Sequence, residues 1–107
     1  MRLKIISNYS PNFNPIKRQT NQIKFLIFHY TGMKKETEAI KKLTSLKSNV
    51  SCHYFIKIKG EILVMVPDLY TAWHAGKSRW KNLSSLNKNS IGIEISNPGH
   101  DYNYKKF

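Results

Sequence analysis

Ser90-Ile91-Gly92-Ile93-Glu94-Ile95 sets isoleucines at alternate positions around one carboxylate. β-Branched residues at every second place read as a strand from Ile91 to Ile95 with one apolar face. Glu94 then lies on the opposite face, and Asn97-Pro98-Gly99 ends the strand. A buried acid without a partner costs several kcal/mol, so such a residue is paired, shifted in pKa or used. Two readings stay open for Glu94: a carboxylate that takes and returns protons beside a reacting water, and a Glu on a solvated sheet face, which alternation equally permits.

Upstream, Ile23-Lys24-Phe25-Leu26-Ile27-Phe28-His29 is a nearly continuous apolar run of strand length, as a central strand buried on both faces would show. Thr31-Gly32 breaks it. From Lys34 to Lys47, Ala39, Ile40, Leu43 and Leu46 recur at spacings of three and four, which predicts one helix face. Val50 to Lys59 alternates towards its end. Lys59-Gly60 is a hairpin turn signal, and Glu61 to Val66 supplies the partner strand before Pro67. Tyr70 to Gly76 carries Trp73 and His74 into a polar loop over 77–89. Residues 1–22 hold no period and read as an irregular lead-in on the surface.

The order β-α-β-β-β predicts the α/β (α+β) class, a mixed sheet with a helix on one face. One helix leaves the other face of such a sheet bare, and no closing element follows the last strand. Both features predict that a C-terminal part is missing.

At 107 residues, 40% of them hydrophobic, the chain suffices for one small packed domain. No apolar run approaches the roughly 20 residues of a membrane span. Residues 1–8 lack the apolar stretch of a secretory signal, so with Met1 as the start a cytoplasmic protein is expected. The one cysteine, Cys52, excludes an internal disulfide and a cysteine-based zinc cage, and fits a reducing compartment. As a nucleophile it is a weak candidate, since buried cysteine is commonly inert.

The net charge of +12 would draw polyanions, which keeps a basic nucleic-acid-binding protein as a remote alternative. Its lysines are scattered, however, and no nucleic-acid motif is present. Abundant Lys, Asn and Ile also fit a coding bias towards A and T. No specific nucleic acid is expected.

A catalytic zinc typically takes three protein ligands and one water. The histidines are His29, His53, His74 and His100, and none pair at i, i+4, so ligands would come from separate strands and loops. His29, at a strand's end, reads equally as a zinc ligand and as a core histidine bonded to a backbone carbonyl. His53, among apolar neighbours, reads as a buried structural histidine. His74 beside Trp73 suits a groove wall meeting sugar or peptide, although Trp73 equally suits a core. His100 reads as a solvated loop residue.

Taken together, several strings resemble one family. Ile27-Phe28-His29-Tyr30-Thr31, Val50-Ser51-Cys52-His53-Tyr54-Phe55-Ile56, Lys59-Gly60-Glu61-Ile62 with Val66-Pro67, Ala72-Trp73-His74-Ala75-Gly76-Lys77-Ser78, and Asn87-Lys88-Asn89-Ser90-Ile91-Gly92-Ile93-Glu94 occur in the order seen in zinc-dependent N-acetylmuramoyl-L-alanine amidases. Asn97-Pro98-Gly99-His100 also follows that pattern. Ser10-Pro11-Asn12-Phe13-Asn14 resembles the lead-in of the branch acting on anhydro-muropeptides.

The resemblance implies the fold of peptidoglycan recognition proteins, a mixed sheet flanked by helices with a substrate groove across one face. It implies hydrolysis of the amide between N-acetylmuramic (or anhydromuramic) acid and L-alanine of peptidoglycan or muropeptides; a monomer is expected. Zn2+ would be the cofactor, His29 a zinc ligand, Glu94 the general base, and Trp73 and His74 the groove lining.

In that family the chain runs on past the equivalent of Phe107, through a helix, to a second zinc histidine and then an aspartate or cysteine. His100 matches a non-ligand position, so His100-Asp101 does not replace them. Residues 23–107 are therefore expected to be the N-terminal two-thirds of one amidase domain, inactive alone. The alternative is a non-catalytic peptidoglycan-binding module.

Overall fold

The computed structural model describes residues 3–75, 79–80, 83–84 and 86–99. Within them the elements are β1 (Ile5–Ser7), β2 (Phe13–Asn14), β3 (Phe25–Tyr30), α1 (Glu36–Leu43), β4 (Tyr54–Ile56) and β5 (Ile62–Val64). There follow β6 (Thr71–Ala72), β7 (Arg79–Trp80), β8 (Leu83–Ser84) and β9 (Ser90–Ile95). Short 3-10 turns cover Thr20–Gln22, Leu46–Ser48 and Leu86–Asn89. Gly76, Lys77, Ser78, His100 and the tail Asp101–Phe107, all named above, lie outside the described residues, as does Met1.

The main sheet runs β1-β5-β4-β9-β3. β1 is parallel to β5, β5 antiparallel to β4, and β9 parallel to both β4 and β3. The α/β class and the mixed sheet are as expected. The hairpin β4–β5 turns at Gly60, whose φ of 91° suits a residue without a Cβ.

The placement of β3 is a correction. Its apolar run reads as a central strand, yet β5, β4 and β9 are the interior strands and β3 is an edge of the described sheet. Phe25, Ile27 and His29 are half-buried, while Leu26 and Phe28 are 63% and 60% exposed. A continuous apolar run looks the same in sequence whether or not its outer face is covered. Among the described residues nothing covers these two side chains. By register, Ile93 and Ile95 of β9, Tyr54 and Ile56 of β4 and Ile62 and Val64 of β5 share that face.

The helix is also shorter than its apolar spacing predicts. The Thr44 hydroxyl and amide both bond the Ile40 carbonyl, at 2.9 and 3.1 Å, and the chain leaves the helix there. Leu46, predicted on the buried face, is 68% exposed. Ala39 and Leu43 pack with Cys52, Phe55, Leu63 and Met65 to form the core on one side of the sheet.

The lead-in is more ordered than its composition predicts. β1 and β2 add strands, and buried Asn12 donates to the carbonyls of Ser45 and Val50 at 2.7 and 2.8 Å. The buried Ser10 hydroxyl bonds the Leu43 carbonyl at 2.5 Å. These bonds lie far apart in sequence, so no local period announces them. Among the described residues, no helix is long and apolar enough to cross a membrane.

Register across the sheet sets up the site. Ile6 pairs with Leu63, Leu63 with Phe55, Phe55 with Glu94 and Glu94 with His29. In-register neighbours share a face. This row therefore passes from Ile6 at one rim, through the core residues Leu63 and Phe55, to an acid and a histidine at the other edge.

Candidate functional site

Where that row emerges, a cavity of about 180 Å³ is lined by His29, Glu94, Trp73, His74, Lys42 and Met33, among others. The groups singled out in the sequence for base, metal and substrate roles thus converge on one place. Burial pushes the Glu94 carboxyl up to about 7, against a smaller opposing pull from the Lys42 ammonium. A carboxyl titrating near neutrality can both take and return a proton.

His74 is held by its neighbours on all sides. The preceding Trp73 exchanges bonds with Ser51: its amide donates to the Ser51 hydroxyl, and its carbonyl accepts from the Ser51 amide, both at 2.9 Å. The Asn87 side chain clamps the next turn, accepting from the amides of His74 and Ala75 at 3.3 and 2.8 Å. It also donates to the Ala75 carbonyl at 2.9 Å. The imidazole lies against the β9 backbone at Gly92, where an added Cβ would sit 2.2 Å from its Cγ.

On this ring, Nε2 is 2.9 Å from the Ser90 hydroxyl and Nδ1 is 3.2 Å from His29 Nε2. Burial, followed by the charges of His29, His53 and Arg18, lowers the His74 pKa to about 3. Burial also lowers that of His29. Both shifts favour the neutral ring at pH 7.

His53 does not line the cavity. Fully buried, its Nδ1 accepts from the Gly92 amide at 3.0 Å and its Nε2 donates to the Tyr70 carbonyl at 2.7 Å. This is the satisfied structural histidine that its apolar neighbours predict. The buried Cys52 thiol is pushed up by burial and by Glu94, so it is not an available nucleophile.

Sequence reasoning did not assign roles to Ser90, Asn87, Gly92 or Arg18. A glycine inside a strand pattern signals close backbone approach, which is the clue Gly92 offers. The others act on partners distant in sequence and carry no local mark.

A catalytic zinc would need three donors around one point. Among the described residues no group of three His, Cys, Asp or Glu is placed to hold a metal. His29 spends its Nε2 on His74. The described residues therefore do not fit a complete zinc site, whatever the donors elsewhere.

A profile described as N-acetylmuramoyl-L-alanine amidase matches residues 19–106. The N-acetylmuramoyl-L-alanine amidase AmiD of Escherichia coli is 38% identical over 85 residues, 73% of this chain and 30% of AmiD. The 1,6-anhydro-N-acetylmuramyl-L-alanine amidase AmpD of the same species is 46% identical over 46 residues, 43% of this chain and 25% of AmpD. The matched stretch thus spans about a third or less of each curated relative. A crystal structure of AMPDH3 from Pseudomonas aeruginosa, in complex with anhydromuramic pentapeptide, superposes with a TM-score of 0.66 at 31% identity. That superposition covers 85% of this chain and 39% of AMPDH3.

Proposed function

The chain belongs to the N-acetylmuramoyl-L-alanine amidase family, and we propose that its cavity receives the junction between the muramic acid and L-alanine of a muropeptide. Glu94 is the general base in this reading. It accepts a proton from the water that attacks the amide carbon, and returns it to the alanine nitrogen as the C–N bond breaks. Trp73 and His74 form the groove wall, and His29 is the one family zinc ligand among the described residues.

The observation that carries this reading is the Glu94 carboxyl, drawn up to about 7 by burial and in register with His29 on one cavity. At about 180 Å³ the cavity is smaller than the roughly 300–1,000 Å³ that enclose drug-sized ligands. A muropeptide would lie across it, with only the scissile junction inside. Anhydro-muropeptides are the favoured substrates, supported by the 1,6-anhydro specificity in AmpD's name and by the ligand of AMPDH3.

Zinc is the family's metal, and among the described residues its donor set is incomplete. That same observation favours a second reading, a module that binds muropeptides without cutting them. A monomer in the cytoplasm belongs to the first reading, supported by a charge of +12, which opposes self-association, and by a single, unpaired cysteine, Cys52.

The test is calorimetry of the purified 107-residue chain with an anhydro-muropeptide, alongside zinc analysis and mass spectrometry of released peptide. Binding is expected, weakened at least about tenfold by Trp73→Ala, which removes an aromatic wall. Zinc is expected well below one equivalent, with no peptide released. Failure to bind any muropeptide sinks the reading of the groove. Stoichiometric zinc with hydrolysis sinks the claim of an incomplete site. In a chain completed with the family's remaining donors, Glu94→Gln should keep the metal and lose most of the rate, and His29→Ala should lose both.

A further inference from the structure

Hydrogen-bond directions can be worked out along the contacts from Leu86 to His29. A carbonyl only accepts, so the 2.7 Å contact between the Ser90 hydroxyl and the Leu86 carbonyl uses the single hydrogen that Ser90 has. Ser90 Oγ can therefore only accept from His74 Nε2, 2.9 Å away. A neutral imidazole carries one N–H, which leaves a lone pair on His74 Nδ1. Its neighbour at 3.2 Å, His29 Nε2, must then be the donor.

We infer that Ser90, acting through His74, fixes His29 in the tautomer with its proton on Nε2 and a lone pair on Nδ1. That Nδ1 has no hydrogen-bond partner among the described residues, and its ring lines the cavity. The chain thus presents an acceptor atom on the ring that pairs in register with Glu94, its protonation decided two contacts away at Ser90.

Two features keep the relay in line. Gly92 leaves room for the His74 ring against β9, and Asn87 fixes the backbone that carries it. Ser90 is fully buried and does not line the cavity. It is a positioning residue. The inference rests on the proposed function only in taking the cavity as the place where substrate lies. The tautomer is a property of the chain with or without substrate.

Long-range 1H–15N correlation spectra of the 15N-histidine-labelled chain at pH 8 report which ring nitrogen carries each proton. His29, His53 and His74 are all expected as Nε2–H. In Ser90→Ala, His74 loses its acceptor and is free to move its proton to Nδ1, where it donates to His29. The Nε2–H to Nδ1–H ratio of His29 should then fall about fivefold or more, the equivalent of one ordinary hydrogen bond.

The His53 signal is the internal control, because its Nε2–H form depends on the Gly92 amide and the Tyr70 carbonyl, which the substitution leaves in place. A His29 of the unaltered chain protonated on Nδ1 overturns the proposal even if Ser90→Ala does not fold. So does a ratio unchanged in folded Ser90→Ala. Titrating anhydro-muropeptide into the same samples separates the two claims, since lack of binding condemns the groove reading and leaves the tautomer measurement intact.

Discussion

Glu94 holds its proton close to neutral pH because the fold surrounds it with core atoms, and the Lys42 ammonium only partly compensates. A carboxyl raised from 4.5 to about 7 binds more protons folded than unfolded between those values. It adds no destabilisation below pH 4.5, and the cost of ionising it grows as pH rises to 7 and is complete above. Glu94→Gln should therefore raise stability at pH 8 by on the order of 2 kcal/mol, one pKa unit being worth about 1.4 and the site being partly open. The gain should vanish at pH 4. Urea midpoints of both proteins at the two pH values check this, and equal gains at both would contradict it. The conflict that makes Glu94 notable is visible in its isoleucine neighbours. Its pairing with His29 is not, because sixty-odd residues of chain separate them.

At the scale of elements, β9 is the decisive strand. It is hydrogen-bonded on both sides, and Ser90, Gly92 and Glu94 all serve the cavity side. Gly92 is where strand and loop meet most closely. A methyl there would overlap the His74 ring, so either β9 or the ring must move. Gly92→Ala should destabilise the chain by about 1–3 kcal/mol, as overpacking of a tight contact does. It should also shift the His29 and His74 ring signals, while the β4–β5 hairpin amides stay in place. A neutral substitution with unmoved histidine signals would contradict the close approach. Strand and hairpin positions were largely legible, since period and turn residues are local. The end of α1 was not, because the side chain of Thr44 competes with the next helical turn.

Across the whole molecule, Arg18 ties the lead-in to the site. Its Nη1 donates to the carbonyls of Asn87 and Ser90 at 3.1 and 2.7 Å, and its Nη2 to that of Asp68 at 2.5 Å. Removing it leaves buried carbonyls unpaired, so Arg18→Ala should cost about 2–4 kcal/mol. Thermal unfolding checks the cost. Loss of muropeptide binding in a still-folded variant would show that the clamp also positions β9, whereas a loss under 0.5 kcal/mol would place Arg18 among ordinary surface residues. One basic residue among many, Arg18 carries no sign in the sequence of the three distant segments it joins.

Legible in the sequence were the strands β3, β4, β5 and β9, the hairpin, the α/β class and the four residues that meet in the cavity, whereas β1, β2 and β6 to β8 carried no local signal. Periodicity, turn chemistry and the strings shared with the amidase family are all written in neighbouring positions. That β9 enters between β3 and β4, that β3 lies at an edge, and that Ser90 and Gly92 arrange the histidines emerges from the folded chain alone. Those facts depend on pairing and contact between segments far apart in the chain, and local pattern carries no record of which distant partner closes a hydrogen bond.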